Sequence, residues 1–250
     1  KLRCKTIPFI IIMKPKLNAV IIGAGGVTSY MLPALKNTFD LTATIVDGDI
    51  LEKHNLDRQL FKNNAVGQYK CVALLKQYNF RKNEGHAIRE YFDEDMLNTE
   101  YKLFFANADV YICAVDNHPA RKAVIAAAKK YKKPVVICAN EYHTSQAMYF
   151  DPNLAQAYPM MDPIARYPSI GTDTSGSPLS CQGLALESDP QLAIANQVSA
   201  SFGNFLLWTW HGIDADPALI DYMPVEYQST FSRLQTITVE EIIGMEQKVS

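Results

Sequence analysis

The sequence predicts an α/β fold: a doubly wound, Rossmann-like and mainly parallel sheet with an additional antiparallel strand pair near the C-terminus. In the stretch 17–35, the apolar run 19–22 meets the turn Gly23-Ala24-Gly25-Gly26, and apolar residues then recur at helical spacing. Over most of the chain, buried-strand patterns alternate with helical patterns, as they do in parallel sheets. A length of 250 residues and a hydrophobic share of 48% suit one large domain.

The later elements are predicted from the same periodicities. Strands are predicted at 41–46, 86–91, 109–115, 134–138 and 146–150, a strand pair within 219–237, and helices at 66–80, 119–131 and 188–211. The last helix is predicted to begin at a capping box at Ser188 and to bury Ala195, Val198, Phe202 and Phe205. The polar stretch 158–183 before it is predicted to be a functional crossover loop or partly disordered.

The composition argues against several classes of protein. A net charge of −2 gives no electrostatic reason to expect nucleic acid or a membrane as a partner. No apolar run is long enough for a bilayer span, and residues 1–16 are expected to be a leader or an added strand before a single domain at 17–250. Five cysteines without a C-x-x-C pair predict neither a disulfide framework nor a four-cysteine zinc site, so we expect no zinc and a cytoplasmic protein.

The turn after the first strand is a candidate phosphate-binding site. Its glycines Gly23, Gly25 and Gly26 leave backbone N–H groups uncovered at the positive end of a helix, where a Cβ would block the approach of phosphates. Thr28 takes the place of the third glycine of a G-x-G-x-x-G pattern, so we expect the helix to lie slightly further from the strand. A glycine turn without a ligand is the alternative.

Polar residues follow the ends of the predicted strands, where doubly wound sheets bind ligands. Asp47 ends the second strand and is placed to accept hydrogen bonds from a ribose diol. Asp116 ends the strand expected beside the first, and a carboxylate that faces phosphates suggests Mg²⁺ between them. The alternatives are that Asp47 caps a turn or helix and that Asp116 caps the next helix. Arg58 and Lys70 can neutralise the charge of phosphoryl or nucleotidyl transfer.

Several motifs occur in a fixed order: GAGGV at 23–27, DGD at 47–49 with NLDRQ at 55–59, GQYK at 67–70, and AVDN at 114–117 followed by Arg121. Over roughly residues 17–210 this string resembles the ThiF/MoeB/HesA family, in the superfamily of ubiquitin-activating enzymes. The resemblance implies an adenylation domain that binds ATP and Mg²⁺ and adenylates the C-terminal carboxylate of a ubiquitin-like or sulfur-carrier protein, releasing pyrophosphate. It also implies that Gly23, Gly25 and Gly26 hold the nucleotide, Asp47 takes the ribose, Asn55, Arg58 and Lys70 contact the phosphates, and Asp116 holds Mg²⁺.

Cys181 is a further candidate, because it lies in the polar crossover loop where sulfur-transfer and thioester-forming members of the family carry a cysteine. An inert loop cysteine is the alternative. Arg58, Lys70, Asp116 and Cys181 are therefore the candidate catalytic residues. The chain lacks the two C-x-x-C pairs and the N-terminal helical arginine of many relatives, and Arg3 is a poor substitute. A homodimer is expected from the resemblance alone.

Three other functions compete with this interpretation. The enzyme could adenylate a small molecule, a peptide or a modified nucleoside instead of a protein. The chain could be a nucleotide-binding scaffold that pairs with an active relative and has lost turnover. A plain NAD(P) oxidoreductase is compatible with Asp47, but it would have no role for Arg58, Lys70 and a metal-ready Asp116.

Overall fold

The computed structural model describes residues 14–140, 144–172, 192–212, 217–230 and 232–249, which form an eight-stranded mixed sheet with helices on both faces. The strands are β1 Lys16–Ile22, β2 Asp40–Val46, β3 Gly85–Ile88, β4 Val110–Cys113, β5 Val135–Asn140, β6 Thr144–Phe150, β7 Pro224–Thr230 and β8 Arg233–Thr238. The α-helices are α1 Gly26–Thr38, α2 Lys70–Gln77, α3 Lys102–Ala106, α4 His118–Tyr131, α5 Pro163–Arg166, α6 Ser169–Thr172, α7 Ala193–Leu207 and α8 Val239–Val249.

The strand order is β3-β2-β1-β4-β5-β6-β7-β8. The first five strands are parallel, and β6, β7 and β8 continue the sheet with antiparallel pairing. The predicted fold class is therefore confirmed, with β6 joining the C-terminal strand pair in the antiparallel part. The chain leaves β1 on one side toward β2 and returns on the other side as β4, so the order reverses between β1 and β4, where such sheets bind ligands.

The apolar run of β1 is continuous because both faces of a parallel sheet are covered. Ala19 and Ile21 belong to the core on the side of α1 and α7, whereas Val20 and Ile22 belong to the core on the side of α4. Alternate side chains of a strand point to opposite faces, which explains this division. The strand thus anchors the turn that follows it from both sides of the sheet.

The predicted helix 66–80 begins later than expected, at Lys70. Gly67 has a φ of +86° and its N–H donates to the carbonyl oxygen of Leu51, while Leu51 N–H donates to Gln68 O. Ile50 and Tyr69 form an antiparallel bridge beside these bonds. The segment before Lys70 pairs with the segment after β2 instead of turning into helix, and this pairing carries Lys70 to the edge of the sheet.

The buried face of α7 differs from the predicted stripe. Phe205 is 56% exposed and Val198 and Phe202 are only partly buried, so the expectation that they are core residues is wrong for Phe205. The buried face carries small residues, and a Cβ on Gly203 would lie 2.6 Å from Cys138 Sγ. The small residues let α7 lie this close to the sheet, and Leu206 and Leu207 at its C-terminal end are buried as well. Helix α8 was not predicted, and the described helices include none that is long and apolar enough to cross a membrane.

Candidate functional site

A cavity of about 330 Å³ lies at the carboxyl ends of β1, β2, β4 and β5. Its walls include all eight candidate residues that fall within the described parts of the chain: Gly23, Gly25, Gly26, Asp47, Asn55, Arg58, Lys70 and Asp116. Cys181 lies outside the described residues. Segments far apart in sequence therefore converge at the point where the strand order reverses.

The three glycines of the turn have different surroundings. A Cβ on Gly23 would lie 2.5 Å from the carbonyl oxygen of Ala114, and a φ of +93° is strained for other residues. A Cβ on Gly26 would lie 2.3 Å from Nδ2 of Asn196. A Cβ on Gly25 would meet no atom closer than 3.9 Å. Internal packing therefore requires glycine at Gly23 and Gly26, whereas the space beside Gly25 can accommodate a ligand.

The N-terminus of α1 has the properties of an anion site. Gly25 is its N-cap, and the first turn has no side-chain cap bond and no acidic residue. The uncapped N–H groups lie at the positive end of the helix dipole and line up beside the cavity. Thr28 donates a hydrogen bond of 2.6 Å from Oγ1 to the carbonyl oxygen of Gly23, so its hydroxyl is satisfied at the end of β1. The expected wider gap between helix and strand stays a prediction.

Asp47 stabilises the turn from the end of β2. Its two carboxylate oxygens accept hydrogen bonds from the backbone N–H groups of Ala24, at 2.6 Å, and Asp49, at 2.7 Å. Burial raises the pKa of Asp47 from 3.8 to about 6, although the Lys70 ammonium acts in the opposite direction. The turn-capping alternative is therefore part of the role of Asp47, and its contact with a ribose stays a prediction.

Lys70 is the buried cation of the cavity. Its side chain is 5% exposed, and Nζ lies 2.7 Å from Oδ2 of Asp49. Tyr91 donates from its hydroxyl to the other oxygen of Asp49 at 2.6 Å, which raises the pKa of Tyr91 above its usual range. Asp49 and Tyr91 thus hold the ammonium in place in the cavity wall. The helix dipole disfavours a cation at the start of a helix, and the ion pair with Asp49 offsets this cost.

The remaining candidates line the cavity from two loops. Asn55 is buried and accepts a hydrogen bond from Glu52 N–H, and Arg58 donates from Nη1 to the carbonyl oxygen of His54 at 3.2 Å. Asp116 is exposed.

The helix-cap alternative for Asp116 is wrong. Asn117 is the N-cap of α4, and its Oδ1 accepts from Ala120 N–H at 2.8 Å. Asp116 lines the cavity and is not the residue that caps the helix. Arg121, one turn into α4, donates from Nη2 to Val115 O at 3.0 Å. Its Nε is buried without a hydrogen-bond partner among the residues described, which leaves a donor beside the cavity.

The described cysteines, Cys71, Cys113 and Cys138, are free and buried. Burial raises the pKa of Cys71 and Cys113 to about 11 and that of Cys138 to about 12. These thiols are protonated at neutral pH and are poor nucleophiles.

The model of one protein family, the ThiF family, matches residues 15–183, more than half of the chain. The chain belongs to the ThiF family. The recognition made from the ordered motifs is confirmed. No curated protein matches the chain in sequence.

Solved structures of ThiF-like proteins share the fold. MccB of E. coli, solved with AMPCPP and selenomethionine MccA, has a TM-score of 0.63 and 17% identity over 89% of this chain and 63% of that chain. MccB solved with ATP has a TM-score of 0.61 at 17% identity over the same shares. PaaA has a TM-score of 0.59 and 15% identity over 88% of this chain and 63% of that chain. This chain therefore spans less than two thirds of the length of these structures.

The ThiF-family cavity can be tested for its fit to ATP and Mg²⁺. The open space at Gly25 and the uncapped turn suit phosphates, and Lys70 and Arg58 supply positive charge. Within the described ranges no group of three or more His, Cys, Asp or Glu side chains could hold a metal. Mg²⁺ is commonly bound through one or two carboxylates together with phosphate oxygens, so Asp116, one of several aspartates that line the cavity, suits a nucleotide-borne Mg²⁺ better than a protein cage would.

Sequence reasoning missed three residues of this ThiF-family site. Asp49 was visible in the DGD motif but had no partner until β2 and α2 were placed together. Tyr91 follows β3 and carried no motif. Asn196 lies on α7, far along the chain, and neither its spacing nor its neighbours in the sequence indicated a place in the cavity.

Proposed function

We propose that this protein catalyses ATP- and Mg²⁺-dependent adenylation of the C-terminal carboxylate of a peptide or small protein of the ubiquitin-like or sulfur-carrier class. The observation that carries the proposal is the convergence of eight motif residues in one cavity. Family membership and the two MccB structures, one solved with ATP and one with AMPCPP and MccA, support a nucleotide together with a peptide or protein substrate.

In this reaction an oxygen of the substrate carboxylate forms a bond to the α-phosphorus, and the bond to the bridging oxygen of the β-phosphate breaks. Both reactants are anions, so the protein must neutralise charge more than it must move protons. The turn N–H groups, Arg58 and Lys70 orient the triphosphate and stabilise the charge that leaves as pyrophosphate. Bound Mg²⁺, held by Asp116, would supply further charge neutralisation at the phosphates.

Cys181 extends the proposal to a second step, in which its thiolate attacks the acyl adenylate, forms a thioester and releases AMP. Cys181 lies outside the described residues, so its place in the sequence alone supports this step. The same proposal includes one adenylation domain at residues 17–250, a homodimer and a cytoplasmic location.

Thermal unfolding with Mg-ATP and, separately, with NAD tests the nucleotide. Mg-ATP at about 100 times its Kd is expected to stabilise the wild type by about 2.7 kcal/mol. Asp116→Ala is expected to weaken this effect, whereas Asp40→Ala, at an exposed aspartate that begins β2, should not. Stabilisation by NAD alone would overturn the proposal. AMP release that depends on a non-protein substrate would favour adenylation of a small molecule. Tight ATP binding without any turnover would favour a nucleotide-binding scaffold.

Gly25→Ala is expected to abolish Mg-ATP stabilisation without loss of folding. The Cβ has room in the free protein, but the methyl group occupies the space that phosphates need. Gly244→Ala on α8 is the matched control, since a Cβ there also meets nothing within 4 Å. Titration of Mg-ATP by calorimetry measures the effect, and unchanged affinity of Gly25→Ala would place the phosphates elsewhere.

A further inference from the structure

Asn196 on α7 contacts both segments that are expected to hold the phosphates. Its side-chain Nδ2 donates a hydrogen bond of 3.1 Å to the backbone carbonyl oxygen of Arg58, across 138 positions of sequence. The same amide group lies against Gly26, the first residue of α1, where a Cβ would be 2.3–2.5 Å from its three outer atoms. Asn196 is 1% exposed and lines the cavity.

The surroundings of this amide indicate that packing stability alone does not account for it. Its Oδ1 is buried without a hydrogen-bond partner among the residues described. Leaving a buried amide oxygen unsatisfied is unfavourable, and a small apolar residue at this position would avoid that cost. Asn196 instead occupies the place where it can reach the carbonyl of Arg58 and lie flat on Gly26.

We propose that Asn196 is a positioning residue that fixes the Arg58 segment against the glycine turn, so that the two bind the nucleotide phosphates together. The inference rests on the proposed function, because it assigns Asn196 a role in the same ATP site. It also gives Gly26 a different reason for being glycine: its Cα is covered by the Asn196 amide. A second hydrogen bond also joins α1 to the segment that follows Arg58: Ser29 Oγ accepts from Leu60 N–H at 2.9 Å.

The matched control is Asn204, two turns further along α7. Its Nδ2 donates to Met31 O on α1 at 3.4 Å, and its Oδ1 also lacks a partner within the described ranges. Asn204 does not line the cavity. The two asparagines therefore make similar contacts between α7 and its neighbours, and only Asn196 makes them at the candidate phosphate site.

The test compares Mg-ATP with adenosine, which has no phosphates, by calorimetric titration. Asn196→Ala is expected to weaken Mg-ATP binding by about tenfold, the effect of one lost hydrogen bond in a binding site, and to change adenosine binding by less than about twofold. Asn204→Ala is expected to leave both affinities unchanged. A merely structural role for Asn196 would weaken both ligands equally or neither.

A double-mutant cycle tests the contact with Gly26 by urea denaturation. Gly26→Ala should lower the denaturation midpoint because its methyl group collides with the amide, and adding Asn196→Ala should recover the midpoint but not the Mg-ATP affinity. Strictly additive losses in the cycle, or an unchanged ratio of Mg-ATP to adenosine affinity in Asn196→Ala, would overturn the inference and leave the proposed function standing. Failure of the wild type to bind Mg-ATP would instead overturn the proposed function and the inference with it.

Discussion

Replacement of Lys70 by methionine is expected to lower the free energy of unfolding by about 3–5 kcal/mol at neutral pH, the usual cost of breaking a buried ion pair from one side. The Lys70 side chain is 5% exposed and its Nζ lies 2.7 Å from Asp49 Oδ2. Methionine fills similar space but leaves the carboxylate without the ammonium, in a cavity that also contains Asp47. Urea denaturation with intrinsic fluorescence measures the change.

The loss of stability in Lys70→Met is expected to grow as the pH rises. Burial raises the pKa of Asp47 in the folded protein from 3.8 to about 6, and Lys70 partly opposes this. A carboxyl with a raised pKa binds its proton more tightly when folded, so its contribution to stability falls as the pH rises through this range. Removing Lys70 raises the pKa of Asp47 further, so Lys70→Met should be more destabilising at about pH 8 than at about pH 5.

A second variant separates the effect on folding from the effect on the nucleotide. Lys70→Met combined with Asp49→Asn removes both charges, keeps an acceptor for the Tyr91 hydroxyl, and is expected to recover most of the lost stability. It should still fail to gain stability from Mg-ATP, because the cation proposed to contact the phosphates is gone. If the double variant binds Mg-ATP as the wild type does, Lys70 serves the fold and has no role toward the nucleotide.

These residues show which parts of the site a sequence can predict. The glycine turn, Asp47 and Asp116 were predictable because each follows a strand with a strong apolar pattern, and the carboxyl ends of parallel strands meet at one edge. Local sequence patterns are enough to place these residues at strand ends, without knowing how the strands pair. Strands β1, β4 and β5 were predictable for the same reason, since they are buried on both faces and have apolar runs, whereas β3 is a short edge strand in which only Ile88 is buried.

The contacts that depend on tertiary packing were not predictable. The Lys70–Asp49 pair required the bridge between Ile50 and Tyr69, which is a local pairing without a sequence pattern. On α7 the hydrophobic pattern predicted that Phe205 is buried, but the close approach to Cys138 places small residues on the inner face. The apolar periodicity identifies a helix and its most apolar face. It does not show whether that face, or a face of smaller side chains, packs against the sheet.

Replacement of Glu226 by alanine is expected to be as damaging as any single change away from the cavity, with a loss of about 3–5 kcal/mol in the free energy of unfolding. Glu226 on β7 is 0% exposed, and its Oε2 lies 3.1 Å from Arg166 Nη2. Its Oε1 accepts hydrogen bonds from the side chains of Tyr167, Gln146 and Gln228. The cluster joins β6 and α5, inside the region matched by the family, to β7 beyond it.

Replacing one partner of this ion pair is expected to lower the stability more than replacing the other. Glu226→Ala leaves the buried Arg166 guanidinium without its carboxylate and leaves Gln146 and the Tyr167 hydroxyl without this acceptor, while Gln228 keeps its bond to the Tyr167 hydroxyl. Arg166→Ala leaves a carboxylate that still accepts three hydrogen bonds. Glu226→Ala should therefore lower the urea midpoint more than Arg166→Ala. Glu84→Ala removes the ion pair with Arg81, whose side chain is 79% exposed, and should change the midpoint far less. If Glu226→Ala is no worse than Glu84→Ala, the buried cluster does not hold the antiparallel part of the sheet to α5.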